Sequence, residues 1–143
     1  MPQQGPTGGL TPHIVIRGTI SGQGAAEAIR FYERAFGAVE RMRAIADDGR
    51  RIMHAHLSLN GGSLMLNDEF PEYGGTADTG SYPPSGLVLH LQVDNADSWW
   101  DRAIAAGAEA RFPIADMFWG DRYGQIVDPF GYVWSIGSPV TKH

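Results

Sequence analysis

The sequence predicts an α+β protein made of two βαβββ modules, and three observations carry that prediction. A helical pattern occurs twice: Phe31-Tyr32-Glu33-Arg34-Ala35 in the first half is matched by Trp99-Trp100-Asp101-Arg102-Ala103 in the second. A short aliphatic strand precedes each copy, "PHIVIRG" (12–18) and "GLVLHLQVD" (86–94). A hairpin follows each copy, turning at Asn60-Gly61-Gly62 and at Asp128-Pro129-Phe130-Gly131.

The elements follow in chain order. The opening "MPQQGPTGGL" lacks the basic start and apolar core of a signal peptide, and its Pro, Gly and Gln read as a disordered tail over 1–10. In "PHIVIRG", Ile14 and Ile16 alternate with His13, Val15 and Arg17. The helix expected over 25–40 has Ala28, Ile29, Tyr32, Ala35 and Phe36 on one face, and Gly37 suits its C-terminal stop. A strand near 39–45 leads into "IMHAHLSL" and "SLMLND". The Gly-, Pro- and Thr-rich residues 70–85 form a connector between modules 11–69 and 86–138, which together make one domain over 11–138. In the second module Asn95 or Asp97 caps a helix over 95–110, whose apolar face carries Trp99, Trp100, Ala103 and Ile104. A strand near 110–115 and the hairpin strands "RYGQIV" and "YVWSIG" complete the copy. Gly62 laid on Gly131 superposes the two hairpins without a gap.

Composition narrows the function classes. A net charge of −5 over 143 residues, with no basic block, argues against nucleic acid. No apolar run reaches the roughly 18 residues of a membrane span. Zero cysteines excludes disulfides, thiolate metal sites and a cysteine nucleophile, and fits a cytoplasmic protein. There is no GxSxG elbow, and Gly61-Gly62 belongs to a hairpin rather than a phosphate loop.

Strand parity locates the polar side chains. Over 51–59 the odd positions Met53, Ala55, Leu57 and Leu59 are apolar and expected on the helix side, leaving Ile52, His54, His56 and Ser58 on the other face. In the strand over 86–94 the partition is Leu87, Leu89, Leu91 and Val93 against Val88, His90 and Gln92. Four of the five histidines, His13, His54, His56 and His90, thus fall on the polar faces. Two histidines at i and i+2 of a strand are close enough to share a metal ion, yet such a site needs three or four donors.

The words "AIRFYERAFGA", "IMHAHLSLNGGSLMLNDEFPEYG", "LHLQV" and "FWGDRYGQIVDPFGYVWSI", in this order, resemble the vicinal oxygen chelate superfamily of glyoxalase I, bleomycin-resistance proteins and extradiol dioxygenases, and within it the PhnB-like group. The resemblance runs from Thr11 to Ser138. It implies the glyoxalase/bleomycin resistance fold, a curved, open, barrel-like mixed sheet with helices outside, in a homodimer. It also implies metal-ligand slots on the first and last strand of each module. Carried onto this chain, those slots fall at His13, near Val88 with His90 on the same face, at Leu66 and at Ser135. Leucine cannot ligate and serine ligates poorly, so the expectation is a protein without the usual metal site. It would bind a small polar or aromatic ligand. The alternative is a lyase, isomerase or dioxygenase holding one divalent ion through His13 and His90, and a third reading is a protein-contact domain.

The expected ligand-binding residues are His13, His54, His56, His90, Trp119, Arg122 and Ser135. By the offset of roughly 68 residues between the two helical words Arg122 aligns with His54 and is placed to clamp a carboxylate or phosphate, against the plainer reading of a structural pair. Trp119 and Phe118 are read as core, dimer contact or stacking wall. Asp68 is the nearest candidate base, set against its plainer reading as a turn acceptor.

Overall fold

Each half of the chain builds its own four-stranded mixed sheet. The structure, a computed structural model, describes residues 5–73 and 86–140. Its elements are β1 (His13–Ile16), α1 (Gly18–Ser21), α2 (Ala25–Phe36), β2 (Val39–Ile45), β3 (Ile52–Leu59), β4 (Gly62–Asp68), a 3-10 turn (Pro71–Tyr73), β5 (Leu89–Gln92), α3 (Ala96–Ala106), β6 (Glu109–Asp116), β7 (Asp121–Val127) and β8 (Val133–Pro139). The strand orders are β1-β4-β3-β2 and β5-β8-β7-β6. In each sheet the first strand runs parallel to the last and the remaining pairs are antiparallel. The α+β class and the twofold βαβββ plan are therefore as expected. Among the described residues no helix is long and apolar enough to cross a membrane. Most of the connector, 74–85, and the first four residues lie outside the described residues.

The chain divides into two compact units. Unit 1 holds the described residues up to Glu33 and from Gly37 to Tyr73; unit 2 holds Arg34–Phe36 and 86–140. In unit 1, α2 starts where the Glu27 carboxylate accepts from Gly24 N–H (2.9 Å) and the Asp68 carboxylate from Ala25 N–H (2.7 Å). It stops at Gly37, whose φ of 69° a residue with a Cβ adopts only at a cost. Its inner face, Ala25, Ala28, Ile29 and Tyr32, is buried together with Ile14, Ile16, Ala55, Leu57, Leu64 and Leu66. Each large aliphatic or aromatic side chain in that layer contributes about 1.5–3 kcal/mol through burial.

Unit 2 buries Leu89, Leu91, Val93, Ile126, Phe130, Trp134 and Ile136, and the Phe36 ring lies 4.7 Å from that of Trp134. Asn95 caps α3 by accepting from Ser98 N–H (3.1 Å). The expected apolar face of α3 is narrower in fact. Ala96 and Ala103 are buried, Trp99 and Trp100 are half-buried, and Ile104 is 37% exposed at the rim. Trp100 occupies the space over Gly124, where an added Cβ would sit 2.8 Å from Cζ3, so the stripe centres on positions 96, 100 and 103.

Two irregularities change strand parity. Ala44 pairs with His54 and Ile45 with Ile52, which leaves Met53 as an extra residue in β3. The bulge reverses the expected faces at this end: Ile52 is fully buried and Met53 is 54% exposed. Beyond it Ala55, Leu57 and Leu59 are buried as expected. The hairpins also differ. Leu59 pairs with Gly62 across the two residues Asn60 and Gly61, both at positive φ, whereas Val127 pairs with Val133 across Asp128–Tyr132. Asp128 organises that longer loop: Oδ1 accepts from Phe130 N–H (2.9 Å) and Tyr132 N–H (3.0 Å), and Oδ2 accepts from Trp134 Nε1–H (2.8 Å).

Candidate functional site

In unit 1 the sheet register sets a row of side chains across the face opposite α2. His13 on β1 pairs with Met65 on β4, Met65 with His56 on β3, and His56 with Met42 on β2. His54, Ser58, Ser63 and Asn67 share that face by the period of two. His13 is exposed, with Nε2 at hydrogen-bond distance from Asn67 Oδ1. His56 is buried, its Nε2 3.0 Å from Ser63 Oγ. Among the described residues the half-buried His54 makes no side-chain hydrogen bond. Burial first, then the charges of His13 and His56, push its pKa below the ordinary imidazole value, so near neutral pH it is an unprotonated acceptor.

Asp68 is not on this face. Its two oxygens accept from Ala25 N–H (2.7 Å) and Ile52 N–H (2.6 Å), tying α2 to β3, which is an acceptor's role rather than a base's. Glu69, next to it, is buried in an ion pair with Arg17 (2.8 Å). At the hairpin end, Thr7, Arg41, His56, Ser58 and Ser63 line a cavity of about 710 Å³.

In unit 2 the corresponding face centres on His90. Its Nδ1 is 2.7 Å from the buried Ser135 Oγ and its Nε2 is 2.8 Å from Gln92 Oε1. A neutral ring satisfies both contacts as the Nε2–H tautomer, which donates to Gln92 and accepts from Ser135. The ring stacks on Tyr123, with centroids 5.9 Å apart, and Trp119 meets Tyr123 edge-on at 5.6 Å. Gln125 Nε2–H donates to Tyr123 Oη (3.0 Å), and Arg111 Nη1–H donates to Gln125 Oε1 (2.8 Å). Gly137 makes room: a Cβ there would lie 3.1 Å from His90 Cε1. Trp119 is half exposed and Phe118 almost wholly so, which removes both from the core.

Two expectations about phase are corrected here. His13 faces Met65 as His90 faces Ser135, so the repeat mate of Ser135 is Met65. The gapless superposition chose Leu66, which is fully buried on the opposite face between Ile14 and Ala55. Between equivalent pairs the second hairpin is one residue longer, five residues between Val127 and Val133 against four between Ser58 and Ser63, and one residue reverses every face in a strand. The mate of His54 is Tyr123, not Arg122, because the helical words repeat at an offset of 68 residues whereas the hairpin strands β3 and β7 repeat at 69. Arg122 points to the α3 side, bound to Asp116 (3.0 Å) and Asp97 (2.9 Å), whose carboxylates push its pKa further up. The structural pair weighed for it is what forms. Arg41, Arg111, Tyr123 and Gln125 were missed, although the superposition of Gly62 on Gly131 sets Tyr123 against His54 and Gln125 against His56.

A catalytic divalent ion takes three or four ligands with one position left open. The residues present do not fit one: the partners of His13 and His90 across the sheet, Met65 and Ser135, offer a thioether and a neutral hydroxyl where a divalent ion needs further strong donors. Among the described residues no group of three or more His, Asp or Glu is arranged to hold a metal.

The pattern that defines the Glyoxalase/Bleomycin resistance protein/Dioxygenase superfamily matches residues 12–136. The chain belongs to this superfamily. A relative in sequence is the protein Mb0911c of Mycobacterium bovis, 43% identical over 135 residues that cover 93% of this chain and 84% of that one. TioX from Micromonospora sp. ML1 is similar in structure, with a TM-score of 0.64 and 25% identity over 92% of this chain and all of the other (100%). The PhnB protein from Bacillus cereus superposes with a TM-score of 0.67 at 17% identity, over 90% of this chain and 98% of its own, and shares the fold. Both units thus present their polar strand faces on a superfamily scaffold.

Proposed function

We propose that the protein binds a small polar or aromatic molecule on these faces without a metal ion, as a sequestering or resistance-type member of the superfamily. One observation carries the reading: the residues paired with His13 and His90 are Met65 and Ser135, neither of them a carboxylate. What remains on each unit is a surface suited to holding a ligand: on unit 1 a neutral acceptor at His54, and on unit 2 the amide groups of Gln92 and Gln125 with the aromatic wall of Tyr123 and Trp119. The reading includes a homodimer in the cytoplasm. Phe118 and Trp119 stand exposed on unit 2, and a chain with zero cysteines suits a reducing compartment.

The test is the metal content of protein purified without an affinity tag or chelator, followed by thermal denaturation with added Ni, Zn, Mn and Fe and with a panel of aromatic and polar small molecules. The expected result is substoichiometric metal, no ion-specific rise in Tm, and stabilisation by small molecules that weakens in a His54→Ala, His90→Ala variant. A stoichiometric ion, or a large rise in Tm with one metal, overturns the reading in favour of a metal-dependent lyase, isomerase or dioxygenase.

A further inference from the structure

Arg41 is the extra residue of a β-bulge. Glu40 pairs with Leu57 and Met42 with His56, so β2 carries one residue more than β3 at this point. Bulges re-aim a side chain, and this one brings the Arg41 guanidinium over Ser58, whose Oγ accepts from Nε–H at 2.7 Å. Arg17, Arg43, Arg51 and Arg122 each sit within 2.9 Å of a carboxylate. Arg41 has no carboxylate partner among the described residues. The acidic residue beside it on the strand, Glu40, is taken by Arg43 (2.6 Å). Its fork is thus fixed at one nitrogen by a neutral hydroxyl, and among the described residues no carboxylate pairs with its charge.

That charge stands on the wall of the 710 Å³ cavity, a volume within the range of small-molecule pockets. Among the described residues no acidic side chain lines this cavity; the polar groups there are the Arg41 guanidinium, the His56 imidazole and the hydroxyls of Thr7, Ser58 and Ser63. Guanidinium and hydroxyls donate hydrogen bonds, and the fork geometry of Arg matches two oxygens of one acid group. A neutral ligand would leave the charge unmatched.

We propose that this cavity binds the oxyanion head of the ligand, a carboxylate or phosphate group, between Arg41 and His56. The inference rests on the small-molecule reading above and narrows it: the ligand is an acid, and its charged end lies at the hairpin end of unit 1. Ser58 is a positioning residue that holds the guanidinium, and the bulge is what sets Arg41 over it.

The test uses the whole protein at low salt with three probes, inorganic phosphate, benzoate and its neutral counterpart benzamide, followed by NMR of the backbone amides and the arginine Nε–H groups. Saturable shifts at Arg41, His56 and Ser63 are expected with phosphate or benzoate, phosphate alone marking a phosphate site and benzoate alone a carboxylate site. Arg41→Gln should weaken anion binding at least about tenfold, and Ser58→Ala by a smaller factor, with native amide spectra in both. Arg41→Lys, which keeps the charge and loses the fork, should fall between wild type and Arg41→Gln. If benzoate and benzamide bind alike, or Arg41→Gln leaves anion affinity within about twofold, the oxyanion proposal is overturned while the small-molecule reading stands. If none of the three probes moves any resonance of either polar face, both are overturned.

Discussion

Replacing one of two adjacent residues by glutamate tests the register of β4 directly. Leu66 is fully buried between Ile14 and Ala55. Leu66→Glu removes about 2–3 kcal/mol of burial and forces a carboxylate either to stay neutral at a cost or to open the sheet, for a loss of about 4 kcal/mol or more. Against a typical total of about 5–15 kcal/mol, that brings a domain close to unfolding. Met65 is half-buried on the opposite face, paired with His13 and His56. Met65→Glu should cost about 1 kcal/mol or less. It also sets a carboxylate beside two imidazoles, so the variant, unlike the wild type, should gain stability with zinc, about 2.7 kcal/mol at a hundred times its Kd. Urea denaturation followed by circular dichroism, with and without zinc chloride, reads all of this. A tolerated Leu66→Glu beside a crippled Met65→Glu would refute the register, and zinc stabilisation of Leu66→Glu alone would refute the placement of the slot.

Two further outcomes follow from single side chains. Asp68→Ala removes the acceptor of two backbone N–H groups, Ala25 and Ile52, and should cost about 2–4 kcal/mol in urea denaturation, with faster hydrogen exchange at both amides. Because the folded state lowers the His54 pKa, the unfolded chain takes up its proton first; this contribution to stability is complete above about pH 6.5 and is lost as pH falls through the folded value. His54→Gln should flatten the stability profile across that window, and an unchanged slope would refute the assignment.

The architecture was readable because it is written twice. The helical words around Phe31 and Trp99, the stop at Gly37, the cap at Asn95 and the hairpin at Asn60-Gly61 each carry a local signal, and all four stand in the structure. The faces were readable only as far as phase holds. Periodicity counts residues and cannot detect a bulge, so Met53 and Ile52 were exchanged and Arg41 passed unnoticed. The choice of Leu66 failed through the second hairpin, where glycines look alike but the loop spanning Asp128–Tyr132 is longer than Asn60-Gly61, and the choice of Arg122 failed because the helical words repeat at one residue less than β3 and β7 do. His13, His54, His56, His90 and Ser135 lie on the faces expected of them because their strands stay in phase up to those residues. Trp119 gave only its aromatic character; its meeting with Tyr123 depends on backbone geometry that no short pattern encodes.

The unequal hairpins have a consequence for how such a chain diverges. A strand is read in twos, as a gene is read in threes, and a loop that gains one residue shifts the frame of everything beyond it unless the loop keeps the extra residue for itself. Asp128 does the keeping: its carboxylate gathers Phe130, Tyr132 and Trp134 into a closed loop, so that β8 resumes with Trp134 and Ile136 inward and Ser135 outward. A repeated module can therefore absorb one extra residue without losing its core, and the two copies of one plan are free to display different chemistry.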